Sequence, residues 1–345
     1  MADVALGDLV TFSNGRSRPV AGTRYRAFGA NGVIGTTGES NAGPGSTIVG
    51  RVGSYCGTVH YSPDRCWVTD NAIIATAKDG VNPRYVHYLL KRLGLNRYRM
   101  GSGQPLLTHA VLNGLTVRRP SRAEQDAAAA VLGALDDKIE VNGRIAAGAD
   151  ALVRARYDEA AATAASAVPI GGLGELVRRN VPPERIGRDE NYIALEHMPK
   201  RHMWLSTWAD ASGVGSAKRR FAAGDVLFGK LRPAFHKAGL AFVDGVASTD
   251  ILVVRPKDAA RRGWLLAALA SDEVVAHARA VGDGTRMPRV KWQDIAAFAV
   301  PWPGDGAARA FGGFAGALAR RVEAATAESA ALAGLRDTLL PEMIP

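Results

Sequence analysis

Pro120-Ser121-Arg122-Ala123-Glu124-Gln125-Asp126-Ala127-Ala128-Ala129-Ala130-Val131-Leu132 opens an alanine-rich run that continues to about Ala165. Ser121, with Glu124 three residues on, has the form of a capping box, in which each side chain answers the other's backbone N–H. Behind Pro120, that pair marks a helix start. Downstream, Leu132, Leu135, Ile139, Asn142, Ala146, Ala149 and Val153 fall at alternating spacings of three and four, the stripe of one helix face. The stripe returns at a fixed offset (315 − 132 = 183) as Ala315, Leu318, Val322, Ala325, Ser329, Leu332 and Arg336. Two long helices follow, roughly Ser121–Ala165 and Gly306–Leu340. Their small residues form an imperfect a/d seam that permits close backbone approach and favours coiled-coil pairing of the two. A helix packed on its own domain would show the same periodicity.

Working outward, the repeat extends over the whole chain. Leu6-Gly7-Asp8-Leu9-Val10 returns as Leu173-Gly174-Glu175-Leu176-Val177 (173 − 6 = 167), and Gly45–Arg51 returns as Gly224–Lys230 (224 − 45 = 179). Thr69-Asp70 matches Thr249-Asp250, and Gly101 and Pro105 match Gly284 and Pro288 at 183. The drift implies 183 − 167 = 16 extra residues in the second copy, most of them near Lys200–Lys218. Each copy starts with short apolar runs punctuated by Gly and Pro, such as Thr47–Val49, Ala72–Ala75, Val226–Phe228 and Ile251–Val254, which read as strands. A short helix follows, Arg84–Leu93 or Trp264–Val275, and then the long one. The fold class is α+β: two globular mixed α/β domains with a pseudo-two-fold internal repeat. Boundaries fall at 1–120, 121–165, 166–303 and 304–345.

The 345 residues carry 43 Lys and Arg against 33 Asp and Glu, a formal net charge of +10, with 47% hydrophobic residues. That is enough apolar mass for real cores. No run approaches a membrane span, and the acids among residues 1–8 do not fit a secretory signal. With only two cysteines, Cys56 and Cys66, neither a disulfide framework nor a paired C-x-x-C zinc site is available. A reduced, cytoplasmic protein is expected, and excess positive charge points to a polyanionic partner.

Motifs for catalysis fail on inspection. Gly224-Asp225-Val226-Leu227-Phe228-Gly229-Lys230 approaches a phosphate-binding loop, but Leu231 stands where magnesium needs Ser or Thr, and Val226-Leu227-Phe228 is a strand pattern. Asn82-Pro83-Arg84-Tyr85 departs from the Asn-Pro-Pro-Tyr motif of amino-methyltransferases at Arg84 and reads as a helix start. The seven histidines form no ligand cluster; Cys56 and Cys66 read as small buried hydrophobes and His60 as a surface residue. No G-x-S-x-G elbow or carboxylate pair with a matching base appears. No catalytic or metal site is expected.

What stands out is basic residues among glycines and aromatics. The first copy has Arg16, Arg18, Arg24 and Arg26 around Tyr25, Arg51 near Tyr55, and Lys91, Arg92, Arg97 and Arg99 around Tyr98; the second has Arg178, Arg179, Lys218, Arg219, Arg220, Lys230, Arg232, Arg286, Arg289 and Lys291, with Trp204, Trp208 and Trp292 interspersed. Arg and Lys serve phosphate contacts, while Arg, Asn and Gln can read base edges, which adds Asn31 and Gln104.

Leu6–Val10, Tyr25–Gly35, Gly101–Pro105, Tyr192–Glu196, Gly224–Lys230 and the terminal Leu335–Pro341, taken in order, make the chain resemble the DNA-specificity (S) subunit of Type I restriction-modification systems. The resemblance implies two target-recognition domains, each reading half of a bipartite double-stranded DNA target. It implies long helices, paired antiparallel, that hold the domains apart and dock two methyltransferase subunits; Leu132, Leu135, Ile139, Val153, Leu318, Val322, Leu332 and Leu335 are the candidates for pairing and docking. No cofactor is implied on this chain: S-adenosylmethionine and ATP belong to the methyltransferase and restriction partners. The alternatives are a specificity subunit of a related phage-defence complex, a stand-alone DNA methyltransferase or nuclease, or a tandem scaffold that binds protein through its helices and uses its charge only for solubility. The helices depart from the family in being unusually alanine-rich, and Gly312-Gly313, Gly316 and Gly334 should weaken the second one.

Overall fold

Ser121 and Glu124 make the expected capping box: Ser121 N–H donates to Glu124 Oε2 at 2.7 Å, and Glu124 N–H donates to Ser121 Oγ at 3.3 Å. The helix it starts runs Arg122–Ala162, and the second long helix runs Asp305–Met343. The computed structural model describes residues 2–101, 105–284 and 287–345. The chain folds as two units, residues 1–139 with 331–345 and residues 140–330, so the division falls inside both long helices.

In the first unit, Ala2–Ala5 pairs antiparallel with Thr116–Arg119. A four-stranded sheet has the order Val10–Asn14, Ala72–Ala77, Ser46–Gly50, Val59–Ser62, and a three-stranded sheet the order Gly32–Thr37, Ala21–Gly29, Cys66–Val68. The helix Pro83–Leu93 begins where Asn82 Oδ1 accepts from the N–H groups of Arg84 and Tyr85 at 2.8 and 3.0 Å. It stops at Gly94, whose φ of 58° is left-handed. Tyr85, Tyr88 and Leu89 from this helix pack with Leu6, Leu9 and Ile73. Leu132 from the first long helix and Leu340 and Ile344 from the end of the chain close the same core. Cys56 and Cys66 are buried, as expected, but His60 is half-buried beneath the Gly32 turn rather than at the surface.

In the second unit, one sheet has the order Gly174–Leu176, Ile251–Pro256, Val226–Gly229, Ala238–Ala241, Trp204–Leu205, and the other the order Asn180–Val181, Lys218–Phe221, Gly245–Ala247, Asn191–Ile193, Ala209–Asp210. Trp264 is fully buried, with ring centroids 4.7 Å from Tyr157 and 5.2 Å from Phe311. The single helix expected over Trp264–Val275 is two, Arg262–Leu269 and Asp272–Ala280. Ser271 starts the second by accepting from Val274 N–H at 3.3 Å, a local alternative to continuing the first.

The two units share a hydrogen-bond plan that corrects two details of the repeat. Lys78 Nζ donates to Gly7 O, and Lys257 Nζ to Gly171 O, both at 2.6 Å. Leu6 N–H donates to Leu115 O, and Ile170 N–H to Phe298 O. The helix Leu6–Leu9 therefore corresponds to Ile170–Leu173 (170 − 6 = 164), not to the look-alike Leu173–Val177, which runs into the strand Gly174–Leu176. The second copy then has 183 − 164 = 19 extra residues. Sheet register pairs Gly50 with Ala72 and Gly229 with Ile251. Both steps are 179, so Asp250 corresponds to Asn71, one residue from the Asp70 that the sequence match favoured. The second unit's sheets carry Asn180–Val181, Trp204–Leu205 and Lys218–Phe221 as strands beyond those of the first unit, which widens both.

Within each unit the long helices run antiparallel. In the first, Arg336 donates to Asp136 Oδ1 at 2.7 Å, and Leu132 and Leu340 share a core. In the second, Asn142 Nδ2 donates to Glu328 Oε2 at 2.9 Å, while Tyr157 lies 6.3 Å from the Phe311 ring. Positions on the first helix rise as those on the second fall. Leu132, Val153 and Val322 are buried in the seam, Leu135, Ile139, Leu318 and Leu332 are half-buried, and Leu335 is 49% exposed, outside it. The first helix also packs on its own unit: Asp150 Oδ1 accepts from Met203 N–H at 2.6 Å, and Trp204 Nε1 donates to Ala146 O at 3.0 Å. Both explanations of the helical stripe hold at once.

Candidate nucleic-acid interface

In the second unit, beyond the helix Asp272–Ala280, Asp283 and Arg289 exchange backbone hydrogen bonds at 3.0 and 2.9 Å. Val290 N–H donates to Lys230 O at 3.1 Å and Arg232 N–H to Pro288 O at 2.8 Å, seating residues 288–290 against the end of the strand Val226–Gly229. Arg232 accepts φ 49° to do so, a conformation rarely taken by a residue with a side chain. The result is a cleft of about 550 Å³ whose cationic lining is Arg178, Arg219, Lys230, Arg289 and Lys291, with Trp292 beside them.

Its charges are unbalanced. Burial pushes the Lys230 amine below the usual lysine range, and the Arg219 and Arg289 guanidiniums push it further, against the opposing pull of Asp250. Arg219 Nε is buried with no hydrogen-bond partner. Two carboxylates offset part of this: Asp250 Oδ1 accepts from Arg289 Nε at 3.0 Å, and Asp283 Oδ2 lies 2.8 Å from Lys291 Nζ. Like charges crowded on a concave surface raise the local potential, and an entering anion relieves the repulsion.

The first unit repeats the frame with other side chains. Met100 and Leu106 exchange backbone hydrogen bonds at 2.8 and 2.9 Å, and Leu107 N–H donates to Arg51 O at 2.9 Å. Arg51 thus takes the place of Lys230, with its Nε donating to Asp70 O at 3.2 Å. Gln104 and Arg286 lie outside the described residues. Arg16, Arg24, Arg97, Arg99 and Asn31 are exposed, Arg24 and Arg97 each with Cζ 5.1 Å from the ring of the following tyrosine. Arg18 donates to Ile34 O at 3.4 Å and Thr36 O at 3.5 Å, and Arg26 faces Asp64 at 3.9 Å.

Two of the candidates turn inward. Lys218 is 7% exposed, donates to Ser216 O at 2.9 Å and lies over the Tyr192 ring. Arg220 is ion-paired with Glu190, whose carboxyl it holds below the usual range. Arg232 is exposed, 5.9 Å from the Phe235 ring. The structure therefore gathers Arg219, Lys230, Arg289 and Lys291 and sets Lys218 and Arg220 apart. Sequence reading had no place for Asp250 and Asp283 in the site; the recurrence of Thr-Asp before an apolar run flagged Asp250 only as a repeat marker. Among the described residues no group of three or more His, Cys, Asp or Glu is placed to hold a metal, and no helix is long and apolar enough to cross a membrane.

Residues 3–148 match the family model of the Type I restriction modification DNA specificity domain. The chain is 30% identical over 112 residues to the Type I restriction enzyme EcoprrI specificity subunit of Escherichia coli, a match that covers 32% of this chain and 28% of that protein. The aligned part is thus less than a third of the relative's length. The crystal structure of a Type I restriction-modification S subunit from M. genitalium is similar at 14% identity and a TM-score of 0.60, covering 100% of this chain and 96% of that one. The HsdS subunit from Thermoanaerobacter tengcongensis aligns at 14% identity and a TM-score of 0.35, over 99% and 96% of the two chains. Residues 3–148 are therefore similar to the Type I restriction modification DNA specificity domain, and the chain shares the fold of the M. genitalium S subunit.

Proposed function

We propose that this chain is the DNA-reading subunit of a Type I restriction-modification complex and that it reads a bipartite duplex, one half-site per unit. The observation that carries this is the repeated hydrogen-bond plan: the frame of the specificity domain, with Arg51 at its turn, recurs in the second unit with Lys230 at the same place. The cationic cleft supports the reading, because phosphates bind such a surface and release their counterions. The two units line their turns with different side chains, so their half-sites should differ in sequence. Chemistry belongs to partners: two methyltransferase subunits, which bind S-adenosylmethionine, and restriction subunits, which use ATP. The exposed Leu335 and Leu152 on the long helices are apolar positions available to such partners.

The test is the salt dependence of duplex binding by the full chain. Five or more neutralised phosphates give a slope of log K against log[salt] of about −4 or steeper. A slope between 0 and about −1 would overturn the reading and leave the positive charge as a solubility feature.

A further inference from the structure

We infer that Arg289, held by Asp250, reads a guanine in the half-site of the second unit; this rests on the reading of the chain as a DNA-specificity subunit. The argument starts from what distinguishes the cleft's cations. Lys230 and Lys291 are point charges on flexible stems, suited to phosphate. Arg289 carries a planar fork. Its Nε donates to Asp250 Oδ1 at 3.0 Å, and the Asp250 carboxylate is only 28% exposed against 47% for Arg289. That bond fixes the guanidinium plane and leaves the two terminal amino groups at the far edge as a forward pair of donors. Two parallel N–H donors match O6 and N7 of guanine in the major groove, the commonest specific contact to a base. The backbone beneath is fixed as well, because Arg289 exchanges two hydrogen bonds with Asp283 and bridges to Leu231.

The first unit lacks the pair. Arg289 corresponds to Leu106 (289 − 183) and Asp250 to Asn71 (250 − 179), so neither the fork nor its carboxylate is present there. The device belongs to one half-site only. Arg178, Arg219 and Lys230 around it supply positive charge for the backbone, so Arg289 need not be spent on a phosphate.

The experiment selects bound duplexes from a random pool with the full chain as wild type, Arg289→Lys and Asp250→Asn. The expected result is a guanine in one half-site of the wild-type motif whose preference, roughly 5- to 150-fold over other bases, falls to near 1 in both variants. The other half-site stays as it is in both variants, and the salt slope stays as it is in Arg289→Lys, which keeps the charge. If Arg289→Lys keeps every base preference, or if the position that relaxes is not a guanine, the assignment is overturned while the DNA-reading function stands. If the wild type selects no motif and its salt slope is flat, the functional reading itself fails, and this inference with it.

Discussion

His87 shows how one side chain makes the first unit sensitive to acid. It lies on the helix Pro83–Leu93 at 6% exposure, its Nδ1 has no hydrogen-bond partner, and its ring sits 4.9 Å from Tyr88 and 5.5 Å from Tyr61. Burial, with the nearby Lys91 charge, lowers its pKa to about 3. In the unfolded chain it titrates near ~6.5. Between those values the unfolded state binds the extra proton, so stability is complete above ~6.5 and declines as pH falls, by up to ~1.4 kcal/mol per pH unit. His60 and His236 are also lowered by burial and add to the decline. Asp136 has the opposite chemistry but the same sign. Burial would raise it, but hydrogen bonds from Tyr88 and Arg336 outweigh that and lower it, so its contribution is lost only below the carboxylate range. Melting curves between pH 7.5 and 5 should therefore show a smaller loss in His87→Phe than in the wild type. Equal losses in the two proteins would mean that His87 is not held neutral by the fold.

Among the elements, the second long helix tests packing against propensity. Its glycines were expected only to weaken it. Gly312, however, sits where an added Cβ would lie 1.9 Å from Ala260 O, so the close approach of the 260–263 segment requires it. Gly313, its neighbour, has nothing within 4 Å of the same position. Gly312→Ala should destabilise the protein by about 1–3 kcal/mol through overpacking, and Gly313→Ala should stabilise it by up to ~1 kcal/mol through helix propensity. Calorimetric melting of both variants checks the contrast; two shifts of the same sign would contradict the packing.

The same elements show what could be read from sequence. The long helices, the capping box and the strands around Thr47–Val49, Ala72–Ala75, Val226–Phe228 and Ile251–Val254 were legible because period and caps are local. The three-residue error at Leu173–Val177 arose because a matching string need not occupy a matching place; only the bonds from Lys78 and Lys257 reveal which short helix is equivalent. The site was legible as a set of cations and no further. Whether an arginine points outward depends on a carboxylate far along the chain, as Arg220 depends on Glu190 and Arg289 on Asp250, 30 and 39 residues away.

For the molecule as a whole, the claim is that one chain carries two DNA-reading units of common plan and different lining. Each has its own buried core, its own antiparallel segment of helix pair and its own basic turn, at Arg51 and at Lys230. On the proposed reading, the repeated plan supplies two sites, and the difference of Leu106 from Arg289 and of Asn71 from Asp250 would give them two specificities. The most direct measurement is the motif that the full chain enriches from a pool of random duplex DNA. Two unlike half-sites separated by a gap of fixed length and free sequence are predicted. A single uninterrupted motif, or no enrichment at all, would contradict the account.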